Sequence, residues 1–84
     1  MYDVIIGKKV YKMMEKLPDN IYQVIMDNLL SLEKNPRPFG CRKLSGAVEK
    51  YRIRIGDYRA IYKIKDNILT VEVVKVGHRS SVYR

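Results

Sequence analysis

Apolar and polar positions alternate with a period of two at the start of the chain. Tyr2, Val4 and Ile6 fall on one side, Asp3 and Ile5 on the other, and Gly7 ends the run, which predicts a short strand. From Lys8 the period lengthens: Val10, Met13, Met14 and Leu17 recur at i, i+3, i+4 and i+7, one face of a helix stopped at Pro18. Asn20 followed by Gln23 resembles a capping box opening a second helix, which runs to about Asn35 because Pro36 disfavours helical geometry before it. So short a link makes the pair an αα-hairpin. Residues 35–47 read as a loop punctuated by Pro36, Pro38, Gly40 and Gly46. Period two then returns. Tyr51, Ile53 and Ile55 alternate with Arg52 and Arg54, Gly56-Asp57 is a two-residue hairpin turn, and residues 58–64 come back. Asp66-Asn67 marks a second turn and residues 68–76 the last strand. The expected fold is α+β: a short N-terminal strand, an αα-hairpin, and a three-stranded antiparallel meander forming one sheet with the helices on one face.

The second helix is apolar over a wide arc. Ile21, Val24, Ile25, Leu29 and Leu32 form one stripe, and Tyr22, Met26 and Leu30 an adjacent one. A surface helix needs a single stripe roughly 100° wide. Either helix 1 and the sheet cover one stripe each, or the second is a docking groove for a partner helix.

Eighty-four residues allow one domain, residues 1–84, with a small core. Apolar runs of a few residues fall far short of a membrane span, and no export leader is visible. The single cysteine, Cys41, excludes an internally stapled secreted scaffold. A cytoplasmic protein with no membrane contact is the expectation. Charge adds more. The net +8 is uneven: residues 1–36 carry five basic and five acidic side chains, whereas residues 37–84 carry twelve and four. A neutral half joined to a strongly basic half points to a scaffold plus a surface for an anionic partner.

The hairpin register locates that surface. With Gly56-Asp57 as the loop, Ile55 faces Tyr58, Arg54 faces Arg59 and Ile53 faces Ala60. Tyr51, Ile53, Ile55, Tyr58, Ala60, Tyr62 and Ile64 then turn to the helices, and Arg52, Arg54 and Arg59 share the opposite face. Glu72 is the local counter-charge available to them. Like charges opposite one another destabilise a sheet, and the guanidinium fork suits phosphate oxygens. Three arginines here therefore point to a phosphodiester. His78, Arg79 and Tyr83 follow the last strand; Tyr83 could stack on a base or hydrogen-bond a phosphate. One His and one Cys supply no metal-ligand set, and no glycine-rich phosphate loop is present, so neither metal nor cofactor is expected. Cys41 has no candidate base nearby in sequence.

Three stretches resemble the RelE branch of the RelE/ParE toxin superfamily across essentially the whole chain. They are Lys43-Leu44-Ser45-Gly46, the hairpin from Tyr51 to Tyr62, and Val76-Gly77-His78-Arg79 with Val82-Tyr83-Arg84. The resemblance implies a RelE-like fold and a metal-independent, ribosome-dependent endonuclease cutting mRNA in the A site. It implies as partners the ribosome, mRNA and a cognate antitoxin, with DNA contacted only as a complex with that antitoxin. Carried over by motif, Arg59 matches the family's catalytic arginine, Arg79 the arginine after the last strand, and Tyr83 the C-terminal tyrosine. Arg52 and Arg54 stand where the best-known members carry lysines and join the catalytic set. Lys43 and His78 are expected to touch substrate, and Tyr22, Met26 and Leu30 to touch the antitoxin. The segment between Arg79 and Tyr83 is about two residues shorter than in those members. Arginine, with a pKa above 12, cannot serve as base, which leaves Tyr83, His78 or ribosomal RNA. Two other readings compete: a ParE-like gyrase inhibitor without nuclease activity, and a non-catalytic nucleic-acid-binding module.

Overall fold

A sheet of five strands, ordered β1-β5-β4-β3-β2, carries two helices against one face. This arrangement comes from a computed structural model, which describes residues 1–44, 46 and 49–83. The chain runs β1 (Asp3–Ile6), α1 (Lys8–Glu15), α2 (Asp19–Ser31), β2 (Arg42–Lys43), β3 (Lys50–Ile55), β4 (Tyr58–Lys65), a 3-10 turn at Asp66–Ile68, and β5 (Thr70–His78). Strands β3, β4 and β5 form the expected antiparallel meander. β1 closes one edge by pairing parallel to β5, and the long connection that parallel neighbours need runs through both helices and strands β2 to β4. The other edge is β2, a two-residue strand in the stretch expected to be only loop. Ser45, within the Lys43–Gly46 motif, Ala47 at the end of the expected loop, and Arg84 lie outside the described residues.

The β3–β4 register is as the two-residue turn dictates: Ile55 pairs with Tyr58, Arg54 with Arg59 and Ile53 with Ala60. Gly56 at the turn's first central position has φ +60°, a conformation other residues adopt at a steric cost. Tyr51, Ile53, Ile55, Ala60, Tyr62 and Ile64 are consequently buried, meeting Met14, Ile25, Leu29 and Leu32 from the helices and the turn after them. Each of the fully buried aliphatic side chains contributes about 1.5–3 kcal/mol. Tyr62 keeps its hydroxyl satisfied by donating to the Pro36 carbonyl at 2.8 Å, and burial raises its pKa. β5 carries a bulge: Ile61 pairs with Lys75 but Tyr62 with Val73, leaving Val74 as the extra residue.

Several boundaries differ from the sequence reading. α2 starts at Asp19 behind Pro18 with no side-chain cap, and Gln23 bonds forward to Asp27 instead of back to Asn20. Proline's fixed φ and missing N–H let it stand at this helix start without a capping side chain. α2 ends at Ser31, followed by tight turns whose amides return to Leu29, Leu30 and Ser31 carbonyls. β5 begins two residues later than expected because Leu69, at φ +47°, still belongs to the turn. The wide arc of α2 is mostly consumed within the fold: Tyr22 and Met26 are half-buried against the core. Leu30 and Val24 remain 44% and 52% exposed.

Arg37 fastens the α2–β2 loop to the far end of the sheet. Its guanidinium donates to both Asp66 carboxylate oxygens at 3.2 and 2.8 Å, to Glu49 at 3.2 Å and to the Tyr51 hydroxyl at 3.2 Å. Tyr2 adds a 2.6 Å bond to Asp66, whose pKa falls to about 2 under Arg37 and Tyr2 together.

Candidate functional site

The sheet face turned away from the helices carries the arginines in facing pairs. Arg42 stands opposite Arg52 across β2–β3, and Arg54 opposite Arg59 across β3–β4. None of the four is ion-paired to a carboxylate among the described residues. Glu72, the counter-charge expected there, instead reaches Lys65 at 3.7 Å. In register it lies beside Lys63, far along the sheet from Arg54.

One turn holds two of the candidate arginines. The Arg59 Nη1 donates to the Gly56 carbonyl at 3.0 Å and to the Tyr58 carbonyl at 2.9 Å. The Arg79 backbone N–H donates to the Asp57 carbonyl at 2.8 Å, with its Nε 3.9 Å from the Asp57 carboxylate. A single hairpin tip thus brings together side chains twenty positions apart in sequence.

The segment after β5 folds back across the same face. The amides of Ser81 and Val82 both donate to the His78 carbonyl at 3.0 Å, and Val82, only 1% exposed, packs on Gly77. Gly77 pairs with Arg59, so a side chain there would stand under Val82. This plug leaves Tyr83, 59% exposed, beside the arginines. Arg52, Arg59, His78, Arg79, Ser80 and Tyr83 line one shallow depression of about 530 Å³.

The His78 ring is fixed by its neighbour. Its Nδ1 accepts the Ser80 backbone N–H at 3.2 Å and lies 2.8 Å from the Ser80 hydroxyl. In the neutral ring the proton therefore sits on Nε2, which acts as donor. Tyr58 meets the ring edge-on at 5.5 Å between centroids.

Not every residue singled out in the sequence reaches this depression. Arg54 shares the face but lines a neighbouring depression at the β3 edge, together with Arg42 and Phe39. Lys43 stands in register with Tyr51, hence on the helix side of the sheet, and its Nζ lies 3.7 Å from Glu49. Sequence reasoning missed the anchoring roles of Asp57 and Val82. The signal for Val82 was present: one aliphatic residue in an otherwise polar tail, five positions after a glycine in the last strand.

Chemically the depression offers three guanidinium groups, an imidazole N–H and a phenol. That set suits an anion with several oxygens, such as a phosphodiester. Among the described residues no group of three or more His, Cys, Asp or Glu side chains could hold a metal ion, and no helix is long and apolar enough to cross a membrane.

Comparison with known proteins agrees with this picture. Residues 4–83 match the family described as the ParE toxin of the type II toxin–antitoxin system parDE. Toxin RelG of Mycobacterium tuberculosis is 32% identical over 75 residues, covering 84% of this chain and 83% of that protein. The archaeal RelE–RelB complex from Pyrococcus horikoshii contains a chain that superposes with a TM-score of 0.83 at 32% identity, covering 96% of this chain and 98% of that one. The intact E. coli RelBE toxin–antitoxin complex gives a TM-score of 0.79 at 25% identity, covering 93% and 96%. This chain belongs to the ParE toxin family of type II toxin–antitoxin systems, and within it is a RelE-like toxin.

Proposed function

We propose that this toxin is a metal-independent endoribonuclease that cuts mRNA in the ribosomal A site, in the cytoplasm, and is held in check by a cognate antitoxin. The observation that carries the reading is the convergence of Arg52, Arg59, Arg79, His78 and Tyr83 on one depression. The ribose 2′-hydroxyl attacks the adjacent phosphorus, the bond from phosphorus to the 5′-oxygen breaks, and a 2′,3′-cyclic phosphate and a 5′-hydroxyl result. Arg59 and Arg79 stabilise the charge that grows on the non-bridging oxygens, held ready by the hairpin carbonyls. Arg52 and Arg54 clamp phosphate. The acceptor nitrogen of His78 is occupied by Ser80, so its Nε2–H serves as a hydrogen-bond donor to phosphate, and the leaving 5′-oxygen takes its proton from water. The 2′-hydroxyl proton goes to Tyr83 in its phenolate form or to ribosomal RNA, since arginine stays protonated. With so little base of its own, the isolated protein should cleave poorly, which agrees with dependence on the ribosome.

The antitoxin proposal draws on the RelE–RelB and RelBE complexes that this chain resembles. Leu30 with the half-buried Tyr22 and Met26 supplies an apolar strip on α2, and the basic sheet face would attract an acidic segment.

The test is a purified translation system read by primer extension. The expected result is cleavage within the A-site codon by the wild type and at least a hundredfold loss in Arg59→Ala, the scale for removing one oxyanion donor. Intact mRNA with toxin-dependent gyrase–DNA cleavage would assign the chain to the ParE-like mode of action. RNA binding without cleavage in either assay would make it a non-catalytic binding module.

A further inference from the structure

The geometry points to a second nucleotide subsite beside the cleft: the depression lined by Phe39, Arg42 and Arg54 holds the base and phosphate of the nucleotide next to the scissile one. The inference rests on the reading that RNA crosses the arginine face.

Three observations converge. First, Phe39 is fully exposed, at a backbone corner of defined geometry. The Cys41 amide donates to the Pro38 carbonyl at 3.0 Å and Gly40 has φ +90°, the features of a type II turn with Phe39 at its leading corner. An aromatic ring held at a fixed corner loses little freedom when a base stacks on it. Second, Arg42 and Arg54 line the same hollow of about 610 Å³ without ion-paired carboxylates among the described residues. Each stands opposite an arginine of the first depression, Arg42 opposite Arg52 and Arg54 opposite Arg59. Arg52 and Arg54 lie about 7 Å apart along β3, of the order of the distance between neighbouring phosphates in a single strand. Third, β2 covers β3 only at Tyr51 and Arg52, so the outer edge at Ile53 has no strand partner among the described residues. That edge and the polar Asn28 and Ser31 of α2 give the hollow hydrogen-bonding walls for a base. Aromatic stacking beside paired cations is how single strands are held without sequence readout. An apolar peptide partner fits less well, because the walls are mainly polar and cationic.

The experiment measures binding of fluorescein-labelled oligoribonucleotides, lengthened one nucleotide at a time from either end, to the full chain at fixed salt. The wild type should gain affinity in a step when the strand becomes long enough to reach Phe39. Phe39→Ala should shrink that step about fivefold or more, Phe39→Tyr should restore it, and Phe39→Leu should not. Arg42→Ala should shrink it too and lower the salt slope by about one. Phe39 is exposed, so none of these changes threatens folding. An unchanged step in Phe39→Ala, equal steps in Phe39→Leu and Phe39→Tyr, or a Phe39→Ala loss confined to antitoxin binding would each overturn the subsite. The underlying reading fails separately: there, the wild type binds no oligoribonucleotide, or Arg59→Ala binds the shortest one as well as the wild type does.

Discussion

Val82→Ala removes the plug that seats the tail on the sheet. The side chain is 1% exposed and packs on Gly77, so the substitution deletes two fully buried methyl groups. At about 0.8 kcal/mol each plus the cavity left behind, the loss is about 2 kcal/mol. If the tail unfolds together with the sheet, the melting temperature falls by roughly 8–16 °C for a domain of this size. If the tail opens on its own, the melting temperature holds and the change shows in hydrogen exchange at the Ser81 and Val82 amides, both bonded to the His78 carbonyl. In the second case Tyr83 loses its fixed position, so cleavage in the translation assay should fall between the wild type and Tyr83→Ala. Gly77→Ala is the control. Its new methyl would meet Val82 at 3.5 Å, ordinary van der Waals contact, so it should behave as wild type. Wild-type melting, exchange and cleavage in Val82→Ala would refute the plug.

Two further outcomes follow from the turns. Gly56→Ala places a Cβ at φ +60° in open space, so its cost is purely conformational, about 1–2 kcal/mol by thermal denaturation. It should also reduce cleavage, because the carbonyls that hold Arg59 and Arg79 shift; stability within 0.5 kcal/mol of wild type, a margin typical of neutral surface changes, would count against the turn's role. The Arg37–Asp66 pair gives a pH signature. Arg37 and Tyr2 hold the Asp66 pKa down at about 2 against an ordinary 3.8, so the pair's contribution is complete above about pH 4. It then shrinks as pH falls toward 2. The melting temperatures of wild type and Asp66→Asn should converge over that interval, and a constant gap would refute the assignment.

What the sequence made legible follows from periodicity. The Arg54–Arg59 pairing and the buried set from Tyr51 to Ile64 were readable because a two-residue turn fixes register and a strand alternates faces. β2 was not readable: two residues carry no period, and their pairing to Tyr51 and Arg52 is a tertiary event. The missing cap at Asn20 shows a local motif yielding to Pro18 two residues earlier in the chain. Within the site, residue types identified the arginines but gave no direction in space. Lys43 sits in a basic motif, yet an odd register position sends it to the other side of the sheet. Arg54 and Arg59 stand opposite one another yet line different hollows, which the register alone did not reveal.

The placement of β5 sets when this fold can be completed. Of the five strands it comes last along the chain but lies inside the sheet, between β1 and β4. Until residues 70–78 have been synthesised, β1 has no neighbour and the core lacks Val71, Val73 and Val76. Non-local pairing of this kind delays folding until the distant segment arrives. A chain stopped before Thr70 therefore lacks the strand that joins β1 to the meander, and no such fragment can assemble the toxin's fold.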